Sequence, residues 1–310
     1  MTRSDEIRLV VVTGKGGTGR TTVAAALALG AARRGRRAIV CEVGGQAQVP
    51  RLLGRGDVEA NGAAGAEHRL ADGLWATTID AESALEEWMA RQVPRRLVSP
   101  VLRSGVFAGF VQAAPGAREL VTITKAWELG EAKRWRRDAR PFDVVVLDAP
   151  ASGHGLGMLR TPRTFEQIAR VGPIAGQART VAAALADPDR CRLVAVARPS
   201  ELVVGETLEY EAATTAALGR GLDAIVVNGV WPKRISRGDA DAVAALDGAV
   251  PMGLRRAVLA SYDRVREQQG QLARLRRHAV APVRTLPFAF AGQLGPEQIR
   301  DFSARLAKPD

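Results

Sequence analysis

Apolar residues in this chain fall mainly into short continuous runs, separated by longer stretches that carry Ala and Leu at helical spacing. Continuous runs, rather than alternating ones, are typical of strands in a parallel sheet that helices cover on both faces. The first run is followed by a glycine-rich loop and a helical pattern over Thr21–Arg34. The candidate strands are Ile7–Thr13, Arg36–Val43, Leu74–Ile79, Phe142–Leu147, Arg192–Ala197, Ala224–Val227 and Val283–Leu286.

The order of these runs predicts a doubly wound α/β fold with a mostly parallel sheet, in a single domain over residues 1–310. Residues 81–140 show helical spacing without a strand pattern, so they are predicted to form a helical insertion. A second helical segment is predicted over residues 155–187. One or two more helices are predicted over Ala240–His278.

Two further segments are interpreted from their composition. Gly54–Gly73 has five glycines and little hydrophobic content, so it is predicted to be a surface loop, with His68 in it. Lys133–Arg137 places one tryptophan among four cations. This pattern favours a solvated helix face with Trp135 packed inward, and contact with an anion or a partner chain is the alternative.

The overall composition excludes a disordered chain, because 46% of the 310 residues are hydrophobic and 25% are charged. No apolar run reaches the roughly 18 residues that a membrane span needs. Acidic residues near the N-terminus do not fit a secretory signal, so we expect a cytoplasmic protein. Cys41 and Cys191 lie in or beside strand patterns without a C-x-x-C pair, which argues against a disulfide framework or a cysteine metal site.

The net charge of +11 would suit an anionic partner. However, only five of the 44 basic residues are lysines, and such an arginine excess beside so much Ala and Gly indicates a coding bias. Nucleic acid is therefore not expected as a partner.

The segment after the first strand has the pattern of a phosphate-binding loop, in the strand–loop–helix context that such a loop needs. Glycines let backbone N–H groups converge on phosphate oxygens, and the positive end of the helix dipole points to the same place. Thr21 is placed to ligate Mg²⁺ between the β and γ phosphates of ATP. The predicted nucleotide-binding residues are Gly14, Gly16, Gly17, Thr18, Gly19, Arg20, Thr21 and Thr22.

Arg20 departs from this pattern, because a lysine usually stands at its position. Arginine keeps the positive charge, but it presents a long planar fork instead of a compact point charge. We expect nucleotide binding to survive this exchange, and whether ATP is hydrolysed stays open.

Asp148 ends the strand candidate Phe142–Leu147 and precedes the sequence Ala-Pro-Ala-Ser-Gly-His-Gly. An acid at the end of an apolar strand, opposite a phosphate loop, suits Mg²⁺. The predicted metal ligands are therefore Thr21 and Asp148. The glycine-rich continuation is predicted to be a flexible loop that senses the γ-phosphate, with His154 as a candidate functional residue.

Together, the phosphate loop and the segment Asp148–His154 resemble the ArsA family of ATPases, which includes arsenite-pump ATPases and the ATPase that guides tail-anchored membrane proteins. Weaker likenesses at Val196–Thr207, Ile225–Asn228 and Leu286–Phe288 extend the resemblance over nearly the whole chain. The resemblance implies a P-loop ATPase that uses ATP and Mg²⁺. It also implies a homodimer, or a heterodimer with a paralogue, whose client could be a membrane protein or membrane complex.

The same resemblance implies roles for individual residues. Lys15 would reach across the dimer interface to the neighbouring nucleotide and act in catalysis together with Asp148. Asn228 would contact the adenine base, and Pro287 belongs to the late loop that would cover it.

The segment after the second strand departs from the family pattern. The family reads close to Asp-Pro-Ala-His there and supplies an aspartate that positions the attacking water. This chain reads Glu42-Val-Gly-Gly-Gln, so Glu42 is the candidate substitute. The arsenite-binding cysteines have no counterpart, so arsenite transport through the known site is not expected.

Two other functions stay open at this point. Arg20 and the absent aspartate fit a non-hydrolysing nucleotide-binding subunit that pairs with an active paralogue. A partition or positioning ATPase that acts on DNA or membrane shares the lysine near the start of the loop. That class typically has a proline pair after the metal-binding acid, which this chain lacks.

Overall fold

Eight strands form one sheet in the order β3-β4-β2-β5-β1-β6-β7-β8, in a computed structural model of the chain. The structure describes residues 8–44, 47–57, 65–92, 116–136, 138–168, 172–246 and 250–308. Every strand pair is parallel except β3 with β4. The strands are β1 (Leu9–Gly14), β2 (Ala38–Val43), β3 (His68–Ala71), β4 (Leu74–Ile79), β5 (Val144–Asp148), β6 (Cys191–Ala197), β7 (Ala224–Val230) and β8 (Val283–Pro287).

Helices cover both faces of the sheet, and we number those in the described ranges in chain order. They are α1 (Arg20–Arg33), α2 (Gln48–Leu52), α3 (Ala81–Gln92), α4 (Ala117–Glu128), α5 (Ser152–Ile168), α6 (Pro173–Ala186), α7 (Glu201–Leu218), α8 (Arg237–Ala245), α9 (Met252–His278) and α10 (Pro296–Leu306).

Two separate hydrophobic cores lie against the two faces of the sheet. One core packs helices α4 to α7 and α9 against strand residues such as Val11 and Leu147. The other packs α1, α2 and α10 against the opposite face, around Val12 and Val146. Because side chains alternate along a strand, continuous apolar runs can fill both cores at once. The doubly wound, mostly parallel α/β fold is therefore confirmed.

All seven strands that the apolar runs predict are present, but the sheet has an eighth that was missed. The short strand β3 lies within Gly54–Gly73, so the prediction of a loop there is wrong for His68–Ala71. Leu70 is the one buried residue of this strand. A four-residue edge strand with one inward side chain produces no apolar run, and backbone pairing with β4 holds it instead.

The predicted helical insertion contains α3 and α4, and its residues 93–115 lie outside the described ranges. The second predicted helical segment corresponds to α5 and α6, and the Ala240–His278 prediction corresponds to α8 and α9. The division of residues 1–310 into one domain with an insertion stays a prediction.

The interpretation of Lys133–Arg137 as a solvated helix face is wrong for its described residues, none of which is helical. Trp135 is partly buried with its ring against Lys125, and Arg134 is buried, with 1% of its side chain exposed. Its guanidinium lies 2.9 Å from Glu128 and 2.5 Å from Glu67. Two carboxylates hold this cation in the interior, which a count of charges along the sequence does not reveal.

None of the helices in the described ranges has the length and apolar character that crossing a membrane would take. Cys41 and Cys191 are buried free thiols, and burial raises the pKa of the Cys191 thiol to about 12.

Candidate functional site

The glycine-rich loop lies at the carboxyl end of the central strand β1, where it leads into α1. Gly14 has a φ of 142°, and a Cβ atom there would lie 2.3 Å from the carbonyl oxygen of Val196. Gly19 has a φ of 94°, and its Cβ would lie 2.2 Å from the Nδ2 atom of Asn228. No side chain fits at either position, so these two glycines fix the path of the loop.

The rest of the loop divides into a buried and an open side. Thr18 is buried and donates from Oγ1 to the backbone oxygen of Lys15, at 2.9 Å. Thr22 is also buried, within α1. Gly16 and Gly17 are exposed, and no described atom lies within 4 Å of a Cβ built at either. The open side thus offers its backbone amides to a ligand.

Thr21 and Asp148 meet at the point where the loop faces the end of β5. The Thr21 hydroxyl donates to Oδ2 of Asp148 at 2.5 Å. Burial raises the pKa of Asp148 above its usual value, while the hydrogen bond from Thr21 and the charge of Arg20 oppose this rise. A hydroxyl beside a half-buried carboxylate is a donor set that suits Mg²⁺, a cation that prefers oxygen ligands.

Arg20 turns toward the segment that follows Asp148. Its Nη1 atom donates a hydrogen bond to the backbone oxygen of Ala149. The guanidinium therefore bridges the first turn of α1 and the residue after the predicted metal ligand.

Lys15 forms an ion pair within its own chain. Its Nζ lies 2.6 Å from Oε1 of Glu206 in α7, and both side chains are about one third exposed. The second oxygen of Glu206, Oε2, is buried, and no hydrogen-bond partner for it lies in the described part of the chain. An acid with one free buried oxygen can accept another donor without giving up Lys15.

Tyr210 and Gly155 connect the loop strand to the helices beneath it. The Thr13 hydroxyl donates to the Tyr210 hydroxyl at 2.9 Å, and burial raises the pKa of that tyrosine. A Cβ at Gly155 would lie 2.9 Å from Thr13 Oγ1 and 3.0 Å from the backbone oxygen of Pro150. Helix α5 therefore packs directly on β1.

The segment after Asp148 differs from the flexible loop that its glycines predict. Helix α5 begins at Ser152, so Gly153, His154 and Gly155 are helical. Glycine weakens a helix by about 1 kcal/mol relative to alanine, which is why sequence reasoning favoured a loop. His154 is exposed and lines a cleft of about 370 Å³ together with Asp80 and Thr122.

Asn228 and Pro287 lie at the carboxyl ends of neighbouring strands. The Asn228 side chain donates to the backbone oxygen of Thr18 at 2.9 Å, so it supports the phosphate loop directly. Pro287 is the register partner of Val230.

Beside these residues, Trp231, Phe288 and Phe290 form an aromatic cluster with centroid separations of 5.0 to 5.3 Å. The guanidinium groups of Arg264 and Arg234 lie over two of its rings, 4.7 and 5.1 Å from the centroids. Flat aromatic faces of this kind can stack a planar base.

Glu42 lies in β2 opposite Asp148 in the strand register. Its carboxylate accepts hydrogen bonds from the backbone N–H groups of Gln48, at 2.7 Å, and Val49, at 3.1 Å. The side chain is buried, with 5% of the residue exposed. Glu42 therefore binds the first turn of α2, while Gly45 and Gln46 lie outside the described residues.

Sequence reasoning placed Lys15, Thr21, Asp148 and Asn228 at one site, and the structure brings all four to the carboxyl edge of the sheet. It missed Glu206 and Tyr210, because their partners lie 191 and 197 residues away. It also missed the aromatic cluster, for which the alternation of Phe288, Ala289 and Phe290 was an available signal.

Comparison with known proteins identifies the family of this chain. Residues 7–172 match the sequence profile of the anion-transporting ATPase family, ArsA. The chain belongs to this family. The ArsA match covers β1, the phosphate loop, α1 to α5 and the Thr21–Asp148 pair.

Two individual relatives have similar sequence identity to this chain. The ATPase BagA of Mycobacterium tuberculosis is 30% identical over 209 residues, which are 67% of this chain and 61% of that protein. An arsenical pump-driving ATPase of Escherichia coli is 29% identical over 252 residues, 75% of this chain and 41% of that protein. The chain thus spans less than two thirds of the length of these relatives.

Proposed function

We propose that this chain binds ATP with Mg²⁺ at the phosphate loop, hydrolyses it, and works as a dimeric nucleotide-dependent switch. The observation that carries the proposal is the 2.5 Å contact between Thr21 and Asp148, at the end of a loop with an open row of backbone amides. Membership of the ArsA family supports the same nucleotide and metal.

Each residue of the site has a defined task in this proposal. The backbone amides of Gly16 to Thr21 and the first turn of α1 bind the phosphates. Thr21 and Asp148 hold Mg²⁺, which supplies charge neutralisation at the β and γ phosphates when bound. Asp148 must be ionised to do so, and its raised pKa makes this step dependent on pH.

The nucleoside end of ATP would lie toward β7 and β8. Asn228 reads the adenine base, and Pro287 covers it. The neighbouring ring of Phe288 adds an apolar wall. Asn228 also supports Thr18 of the loop, so base and phosphates are positioned by one connected group.

Lys15 links nucleotide binding to dimer formation in this proposal. Within one chain it is held by Glu206, and in the dimer it would leave that partner for the phosphates of the neighbouring subunit. Breaking this ion pair costs little free energy, because both side chains are about one third exposed and exposed ion pairs contribute little to stability. Lys15→Ala should therefore bind ATP and fail to hydrolyse it, and fail to dimerise with it.

The decisive experiment titrates the full chain with Mg²⁺ and a non-hydrolysable ATP analogue by calorimetry, and measures phosphate release with ATP. Asp148→Asn should lower Mg²⁺-dependent release at least about 100-fold, a typical loss when transition-state charge stabilisation is removed. Asp263→Asn, an exposed acid on α9, is the matched control and should behave as wild type. Equal activity of wild type and Asp148→Asn would refute the proposal.

A non-hydrolysing subunit is the second candidate, and the position of Arg20 favours it. The guanidinium donates to Ala149 instead of standing over the loop, and Glu42 is occupied by α2. If the natural chain binds the analogue without releasing phosphate and Arg20→Lys restores release, this candidate replaces the first. Release by the natural chain at a rate within about tenfold of Arg20→Lys excludes it.

The client and the location are also proposals. One relative is named as a pump-driving ATPase, which supports a membrane protein as client and action in the cytoplasm. Nucleotide-dependent dimerisation should be visible by light scattering after gel filtration, with Lys15→Ala remaining monomeric.

A further inference from the structure

Arg20 is the residue of the phosphate loop that stands in place of the usual lysine, and its side chain has a specific partner. Its Nη1 atom donates a hydrogen bond to the backbone oxygen of Ala149. Ala149 is buried, and its own N–H donates to the backbone oxygen of Val12 in β1 at 2.9 Å. Ala149 is thus held to the central strand through its nitrogen and to the first residue of α1 through its oxygen.

The guanidinium of Arg20 lies at the carboxyl ends of β1 and β5, close to two ionisable side chains. Burial raises the pKa of Asp148 and of Tyr210, and the positive charge of Arg20 opposes the rise at both groups. The charge therefore stands beside the proposed Mg²⁺ ligand. The terminal phosphate of a bound nucleotide would lie at the same place, because the metal bridges the β and γ phosphates.

The side chain of Arg20 has further donors that a ligand can reach. A guanidinium carries five N–H groups in one plane. The bond to Ala149 is the one hydrogen bond of this side chain in the described part of the chain, and Arg20 is partly exposed. A lysine would offer a compact point charge without a planar fork. Arginine can therefore hold a backbone oxygen and a phosphate oxygen at the same time.

The segment that follows Ala149 has low intrinsic stability. Helix α5 begins at Ser152, and its first two turns contain the exposed residues Gly153 and Gly157. Glycine weakens a helix, so the start of α5 depends on what holds it from outside. The same helix lines the cleft of about 370 Å³ together with α4. A change in the hold on Ala149 would therefore reach the start of α5 first.

We infer that Arg20 senses the γ-phosphate of ATP and couples it to α5, with Nη1 on Ala149 and the other N–H groups on the phosphate. The inference rests on the proposed function for nucleotide binding only, and it holds whether or not hydrolysis follows. ADP lacks the acceptor oxygens of the γ-phosphate, so it leaves this second anchor empty. Arg20 is thus a positioning residue for α5, in a task that lysine does not share.

Calorimetry with Mg²⁺ and either ADP or a non-hydrolysable ATP analogue tests the sensing step. The wild-type chain should bind the analogue more tightly than ADP. Arg20→Gln removes the charge-assisted hydrogen bonds, so the ratio of the two affinities should fall at least about tenfold. Arg33→Gln is the matched control, because Arg33 is an exposed arginine in the last turn of the same helix. It should leave the ratio unchanged.

Hydrogen exchange tests the coupling step. In the wild-type chain, the ATP analogue should protect the amides of residues 153–158 more than ADP does. Arg20→Lys keeps the charge, so it should bind the analogue within about tenfold of wild type. It should nevertheless lose the difference in protection, because no planar fork holds Ala149. A role of Arg20 in folding alone would not separate binding from protection in this way, and thermal midpoints confirm that each variant folds.

Three results would overturn the inference. The first is an unchanged affinity ratio in Arg20→Gln while the wild-type chain binds both nucleotides, which would leave the proposed function intact. The second is a difference in protection that Arg20→Lys retains, since charge alone would then be sufficient. The third is the absence of binding of either nucleotide to the wild-type chain, which would overturn the proposed function as well.

Discussion

Two glycine-rich segments follow neighbouring strands of this sheet, and they behave differently. After β1, Gly14 and Gly19 stand where any side chain would collide with β6 or with Asn228. After β5, Gly153 and Gly157 stand in the first turns of α5 with no described atom within 4 Å of a built Cβ. The same residue type is required by close contacts in the first segment and only weakens a helix in the second.

In the proposed function, the two segments divide phosphate binding and the response to the nucleotide between them. The loop after β1 is held by close contacts at Gly14 and Gly19, which favours amides that are positioned before a phosphate arrives. The start of α5 has low intrinsic helix stability and is held by packing of Met158 and Leu159 in the core. A segment of this kind can rearrange at small energetic cost, which suits a response to the γ-phosphate.

The strongest test of the fixed segment is Gly14→Ala. A Cβ 2.3 Å from a backbone oxygen, at a φ of 142°, should lower the free energy of unfolding by roughly 3–5 kcal/mol. Urea unfolding measures this loss. Gly16→Ala is the control in the same loop and should change stability by less than about 0.5 kcal/mol. Similar losses of stability in both variants would contradict a specific close contact at Gly14.

A smaller effect is expected from Gly155→Ala, the one glycine in the first two turns of α5 that touches β1. Its Cβ would press on Thr13 Oγ1 and on the backbone oxygen of Pro150, and the gain in helix propensity offsets part of that strain. We expect a net loss of about 1 kcal/mol by thermal unfolding. A gain in stability would show that α5 does not pack on β1 as described.

Gly153→Ala and Gly157→Ala should act in the opposite direction. Each exposed site has room for a methyl group, so each change should stabilise the chain by about 0.5–1 kcal/mol. The double variant should show nearly the sum in urea unfolding. A stabilised α5 that also slows phosphate release would tie the low helix stability to turnover, and an unchanged midpoint would contradict the prediction.

The smallest effect concerns the pH dependence of stability at the end of β5. Burial raises the pKa of Asp148, so the folded chain holds this proton more tightly than the unfolded chain. The stabilising contribution of protonated Asp148 to the free energy of unfolding is therefore present at low pH, and it is lost as pH rises through the folded-state pKa. Without Mg²⁺, Asp148→Asn should become more stable relative to wild type as pH rises. A difference in unfolding free energy between variant and wild type that stays constant from pH 4 to 8 would contradict this prediction.

The local sequence pattern was sufficient to predict seven of the strands and the phosphate loop. Seven strands are continuous apolar runs, and the loop glycines stand at the spacing that a strand-to-helix turn requires. Asp148 was predictable because it ends such a run. Within the site, therefore, residues whose positions are set by their neighbours in the sequence could be predicted from the sequence alone.

Residues whose positions depend on distant partners could not be predicted from the sequence. The pairing of Lys15 with Glu206 depends on α7 passing beside the loop, and the burial of Arg134 depends on Glu67 and Glu128. The start of α5 was missed for the same reason, because tertiary packing overrides its glycines.

The antiparallel strand β3 has a consequence for assembly. A strand at the margin of a sheet exposes unpaired amides that can recruit another chain and seed aggregation. Here that margin is only four residues long, carries the exposed Arg69 and contains an irregular register with β4. Such a margin offers a poor template for extending the sheet. Pairing of another chain along this edge of the sheet is therefore disfavoured.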